Sequence, residues 1–296
     1  MLAEKLFISL FFLSVLCSGL SAQEDDLLSL LGESEPTLEL AEAAFKTNRV
    51  INLHSIENTA AGVLDFKIGH RFGFLSGGFS ELFGLDDASI RLGFDYGLTN
   101  RLQIGIGRSG FRKTYDAYGK FKLLRQSSGL RNFPITVAVL GTAAIQTLPW
   151  QNPDRENYFT SRLYYTGQLI MGRKISESIS FQLSPTVIHR NLVRTSEESN
   201  DVLALGGAGR VKLSRRIALN AEYVYVLPGQ LTPGFRNSLS VGVDIETGGH
   251  VFQLHFTNST SMIEPGFITE TVGSWANGDV HFGFNVSRVF TVRKPG

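Results

Sequence analysis

Along most of the chain, apolar and polar residues alternate with a period of two, the spacing that sends successive side chains to opposite faces of a strand. The pattern is plainest from Ala88 to Arg108, where Ile90, Leu92, Phe94 and Tyr96 alternate with Arg91, Gly93, Asp95 and Gly97. After Leu98-Thr99-Asn100 it resumes, with Leu102, Ile104 and Ile106 against Gln103, Gly105 and Gly107. Two such runs across a short Asn-containing connection predict a β-hairpin. The alternation returns around Leu64–Phe74, Tyr115–Leu124, Ile135–Gln146, Phe159–Met171, Ile179–Val187, Leu203–Leu213, Ile217–Tyr225, Leu239–Ile245, Phe252–Phe256 and Val280–Val286. Together these runs predict about twelve strands, an even number.

The connections alternate too. Leu98–Asn100, Arg173–Glu177, Ser214–Arg216 and Thr247–Gly249 are short, whereas Ser76–Asp87, Leu148–Asn157, Asn191–Asp201, Pro228–Arg236 and Ser259–Gly278 read as long outer loops. Two connections fit poorly: Ser109–Lys113 is short for an outer loop, and Gln126–Phe133 is long for an inner turn. Even strand number with short turns at one end and long loops at the other is the outer-membrane pattern, which a soluble two-sheet sandwich does not predict. Hydrocarbon cannot satisfy backbone N–H and C=O groups, so strands cross it only as a closed sheet. The predicted fold is therefore all-β: a transmembrane, antiparallel, up-and-down β-barrel of about 12 strands with a short N-terminal periplasmic segment. Its apolar set faces lipid, and its polar set lines the lumen: Asp65, Lys67, Arg71, Arg91, Asp95, Asp116, Lys120, Lys122, Arg162, Arg210, Lys212, Glu222, Asp244 and Glu246. Both signs are present, which predicts ion pairs and water in the interior rather than a single-sign selectivity ring.

The chain ahead of the barrel divides in two. Residues 1–22 read as a signal peptide, with Lys5 before an apolar core from Leu6 to Leu16 and small residues up to Ala22. Cys17 follows Leu16, a poor match for the small residue that precedes a lipidated cysteine. Residues 23–62 form an acidic segment, in which Leu38, Leu40, Ala41, Ala44 and Phe45 suggest a short helix. Its last part, Val50–Asn58, is too polar for lipid and too apolar for a free tail, so it is expected to fold back into the lumen as a plug. There His54, Ser55, Glu57 and Asn58 can meet lumen charges; the rival readings are an external strand or a mobile periplasmic tether. The barrel occupies 63–296.

Composition narrows the function classes. A formal net charge of +1 gives no basic face for nucleic acid. The single cysteine lies in the predicted leader, which leaves no disulfide framework or cysteine-ligated metal site beyond it. The 6 histidines lack zinc-ligand spacing, and no metal or cofactor is expected. Gly105-Ile106-Gly107 with Gly110 has the wrong spacing for a dinucleotide fingerprint, and barrel curvature is the better reason for glycine there. An outer-membrane lipid hydrolase is the rival function, with His189 and Asn191, or His255 with Asn258 or Ser259, as its nearest candidate groups. Adjacency in sequence supplies no catalytic geometry, and no catalytic residue is assigned.

The stretches AFKTNRVINLHSIE, LDFKIGHRFG, LFGLDDASIRLGFDYGLTNRLQIGIGRSG and KTYDAYGKFKLLRQSSG resemble a domain-of-unknown-function family of bacterial outer-membrane β-barrels. The likeness is specific from Ala44 to Gly129 and more diffuse beyond. It implies a barrel and an outer-membrane address, and it transfers no ligand or catalytic residue. The expected partners are outer-membrane lipid and either a small solute or a periplasmic protein. The expected role is a narrow channel, transporter or assembly partner without enzymatic activity.

Overall fold

The computed structural model describes residues 37–293 apart from 151 and 197, so the predicted signal peptide and most of the acidic run lie outside the described residues. Twelve strands close into one antiparallel barrel. They are β1 (Val63–Phe74), β2 (Ala88–Gly97), β3 (Leu102–Ser109), β4 (Thr114–Leu124), β5 (Thr136–Gln146), β6 (Leu163–Lys174), β7 (Ile179–Arg190), β8 (Asp201–Lys212), β9 (Ile217–Val226), β10 (Ser238–Thr247), β11 (His250–Thr257) and β12 (His281–Thr291). Each pairs with its neighbours in sequence, and β12 closes on β1 with Val286 opposite Ile68 and Thr291 opposite Val63. With every edge paired, no row of backbone donors is left facing hydrocarbon.

Alternation sets the two faces. Phe94 is 45% exposed and Ile106 61%, while Asp95 is 2% and Lys120 0% exposed. This is the reverse of a soluble sheet: the apolar side chains are outside and the charged ones are sealed within. Phe66, Phe94 and Ile106 lie side by side across β1, β2 and β3 on the outer face. Glycine on the inner face does more than admit curvature. A Cβ at Gly107 would stand 2.2 Å from the Arg91 guanidinium, and one at Gly105 2.2 Å from the Tyr118 ring. These glycines clear room for large inward side chains.

Both ends match the predicted asymmetry, with two informative differences. The long connection between β4 and β5 carries a short strand, Ser127–Gly129, which pairs with Leu38–Leu40 on the side of the termini. The helix expected around Leu38 to Phe45 is therefore absent: Leu38–Leu40 is extended, and Ala44 and Phe45 are buried among lumen residues. The apolar spacing there reflected burial inside the barrel, not a helical face. The second difference is the connection between β11 and β12, which folds inward instead of standing out as a loop. It carries helix α1 (Glu264–Thr269), all six residues of which are buried.

Candidate functional site

The lumen is filled from both ends. From the side of the termini, residues 44–56 turn back into the barrel, with Val50, Ile51, Leu53, His54 and Ser55 all at or below 2% exposure. The segment makes a tight reversal: Val50 N–H donates to Leu53 C=O at 2.8 Å, and Ser55 N–H to Asn48 C=O at 3.0 Å. The rest of its backbone is satisfied by wall side chains, as buried polar groups require.

Glu222 on β9 is the main anchor. Its carboxylate accepts three successive backbone N–H groups, from Ile51 (3.1 Å), Asn52 (2.8 Å) and Leu53 (3.0 Å). Converging amides of this kind form an anion-holding concavity, here closed on the protein's own acid. Gln182 on β7 both accepts from Ile56 N–H (3.1 Å) and donates to His54 C=O (2.8 Å). Gln103 accepts from Thr59 N–H at 2.8 Å, Gln253 donates to Val50 C=O at 2.8 Å, and Asn285 donates to Ile51 C=O at 3.1 Å. Lys120 donates to the carbonyls of Ser55 (2.9 Å) and Glu57. Apolar contacts complete the fit: a Cβ at Gly172 would fall 2.7 Å from Ile56, so that inward position must stay small.

The predicted wall charges distribute around this segment. Lys67 lies 3.2 Å from Asp95 and 3.4 Å from Asp65, and Arg91 is paired with Asp116. Asp95 also accepts from Asn48 (2.9 Å), and Arg71 donates to Asn52 (2.9 Å). Arg210 reaches the carbonyls of Ala43 and Ala44, and Asp244 accepts from Gln253. Lys122 lies 3.4 Å from Glu57, and Glu246 pairs with Lys46 near the end of β10. Lys212 is half-buried at the end of β8, with no ion pair among the described residues. Arg162 departs from the lumen assignment. It sits in a short turn ahead of β6, where its guanidinium stacks 3.8 Å over the Trp150 ring and donates to Gln146 C=O. The alternation was extended one turn too far there, because the strand begins at Leu163.

Among the plug candidates, Ser55 donates to Thr47 C=O at 2.5 Å and Glu57 accepts from Ala44 N–H at 2.8 Å. His54 packs edge-on against Tyr118, with Nε2 3.4 Å from Glu264. Asn58 stays near the turn after β2, donating to Arg101 C=O. Charge alone does not single out the neutral holders Gln103, Gln182, Gln253 and Asn285. All four occupy inward-facing positions of the alternation, which was the available signal.

The second filling comes from the opposite end. Residues 258–271 descend between the strand ends, with Phe267 and Ile268 in the same apolar cluster as Val50, Leu53 and Ile56. Glu264 joins the two fillings by accepting from Arg49 at 3.0 Å. At the mouth, Glu270 pairs with Arg112, whose backbone is left-handed at φ 53°, and lies 3.5 Å from Arg194. The apolar run Met262-Ile263 and Phe267-Ile268 was the sequence sign that this connection is not a solvated loop.

The groups weighed for hydrolysis have other engagements. His189 Nδ1 lies 2.8 Å from Asp201, both exposed at the mouth, and Asn191 donates to Thr160 C=O. His255 is sealed inside the barrel. Asn258 donates to the carbonyls of Asn237 and Gly273, and Ser259 to Ser261 C=O.

The profile described as "Membrane bound beta barrel domain (DUF5777)" matches residues 45–290, which takes in both the barrel and the lumen segment. The chain belongs to this family. No curated protein sequence matches it. Among solved structures, the chain is similar to the NanC porin, at 9% identity and a TM-score of 0.48 over 77% of this chain and 98% of that one. It is also similar to an outer-membrane channel from Pseudomonas putida F1, at 14% identity and a TM-score of 0.46 over 79% and 98%. LpxR from Salmonella typhimurium follows at 12% identity and a TM-score of 0.34 over 77% and 99%.

Proposed function

We propose that this family member is an outer-membrane channel for small polar solutes, held closed by its own residues 44–59 from one end and 258–271 from the other, and without enzymatic activity. The observation that carries this reading is the chemistry of the wall behind the segment. Glu222, Lys120, Arg71, Gln182 and Gln253 are polar groups that hold backbone and amide atoms of the segment. Withdrawal of the segment leaves a charged, hydrophilic surface of both signs, the lining of an aqueous passage. A barrel meant only to be solid would be filled more cheaply by apolar side chains. The lipid belt and even strand count support the outer-membrane address, which export by the predicted signal peptide would serve.

A second reading is an assembly partner for a periplasmic protein. It draws on the filled lumen and on the two-stranded sheet at the terminus side, where Leu38 is exposed. Single-channel recording separates the two. Full-length protein in planar bilayers should be nearly silent, and deletion of residues 23–58 together with replacement of the inward residues 260–271 by a short linker should give a stable conductance while heat-modifiable barrel folding persists. A well-folded deletion protein that stays silent discards the channel. Absence of lipid hydrolysis by the purified protein is the accompanying check.

A further inference from the structure

Between the lumen segment and β1, β2, β11 and β12 lies a cavity of about 30 Å³. Arg49, Lys67, Arg71 and Arg91 line it, and no Asp or Glu does. Four cations lining one small, partly open space would repel one another without counter-charge, so their partners matter. Arg91 is bidentate on Asp116, and Arg49 spends one nitrogen on Glu264 and Asn52 C=O. Lys67 is near Asp65 and Asp95. Arg71, 1% exposed, forms no ion pair among the described residues; it donates to His70 C=O, Asn285 and Asn52. The Glu222 carboxylate is taken up by three backbone amides. Two buried guanidinium donors on residues of this cavity, Arg49 Nη2 and Arg71 Nε, have no hydrogen-bonding acceptor from the described residues, and Lys67 Nζ is held only by its ion pairs with Asp95 and Asp65.

We infer that this cavity is a binding site for a small monovalent anion of chloride size. Size selects the class: a cavity needs roughly 10–15 Å³ to hold one water, so this one suits one or two water-sized particles. Charge selects the sign, because Arg71 has no carboxylate in direct contact, an unsatisfied buried guanidinium N–H is costly, and a halide can accept from several N–H donors at once. Position gives the consequence. Arg49 belongs to the lumen segment, and Lys67 and Arg71 belong to the wall, so the anion bridges the two and cements the segment in place. Gly69 borders the same space, where a Cβ would stand 2.8 Å from the Met262 sulfur, and a Cβ at Gly283 would stand 2.8 Å from Arg71 Cδ.

The site concerns the seated segment and stands whether or not that segment ever leaves to open a pore. The deciding experiment is diffraction from crystals of the full-length protein soaked in bromide, read at the bromine edge. An anomalous peak among Arg49, Lys67 and Arg71 supports the site; water alone there, or bromide only on the surface, overturns it. In detergent at matched ionic strength, chloride should raise the unfolding midpoint over a bulky organic anion such as gluconate by about 3 °C, as ligand linkage predicts for a chloride concentration a few times Kd. Arg71→Gln should abolish that difference. A chloride effect undiminished in this variant overturns the assignment, and if it fails to fold, Lys67→Gln and the bromide peak in the native protein decide.

Discussion

The two fillings of the lumen are built on opposite principles. Residues 44–59 depend on the wall: their amides and carbonyls are completed by Glu222, Gln182, Gln103, Lys120, Gln253 and Asn285. Residues 258–271 complete part of their own backbone and are tied to the rest through side chains, Glu264 to Arg49, Glu270 to Arg112 and Arg194, and Thr260 to His281. Thr269 donates to Pro265 C=O, Thr271 to Phe267 C=O, and Ser259 to Ser261 C=O, while Phe267 and Ile268 supply apolar burial. The inserted loop, when it moves, gives up apolar contact and a few side-chain ties, whereas the wall-satisfied segment must trade a set of backbone hydrogen bonds for water. The first is a packed stopper and the second a keyed one.

The largest break in this contrast should come from Glu222→Ala. Three buried N–H groups lose their acceptor, at roughly 1–3 kcal/mol each. Thiol labelling of a Ser55→Cys reporter by a reagent supplied from the terminus side should rise steeply in that background. Next, Phe267→Ala should cost about 3–5 kcal/mol of stability through a core cavity. It should expose a reporter at Ile263→Cys from the opposite side, with little change at Ser55→Cys. Equal response of both reporters to both substitutions would show that the fillings move as one body through Arg49 and Glu264. A wall control, Phe94→Arg, should impair barrel folding by up to about 2–4 kcal/mol because it places a charge against lipid. Refolding into vesicles measures it, and tolerance there would undo the assignment of the outer face. The smallest effect belongs to Glu246→Gln. Its partly exposed pair with Lys46 is worth roughly 0–1 kcal/mol, and neither reporter should respond.

The barrel was legible in the sequence because a period of two is a local property that each strand states for itself. Phe94 outside and Asp95 inside follow from adjacency alone. The lumen segment was legible from its mixed character, between too polar for lipid and too apolar for water. Its partners were not. That Glu222 rather than Lys67 or Arg91 would receive Ile51, Asn52 and Leu53 depends on the register and depth of a segment 169 residues or more away in sequence. The inward loop was misread for a related reason: length and polarity at Ser259–Gly278 resembled a solvated connection, and the buried Phe267 has no periodic pattern to announce it. Arg162 was overreached because the alternation continued past the strand, where stacking on Trp150 sets its position instead.

The small sheet at the terminus side gives the molecule a mechanical order of failure. Leu38–Leu40 is tied to Ser127–Gly129 before the chain reaches the lumen, and Ala41 N–H donates to Gln126 C=O just after it. Tension applied to the chain ahead of Leu38 therefore loads these few backbone bonds first. The three amides on Glu222 feel none of it until the sheet has parted. The sheet acts as a fuse: weak pulls are absorbed outside the barrel, and only a sustained one is transmitted to the segment that fills it.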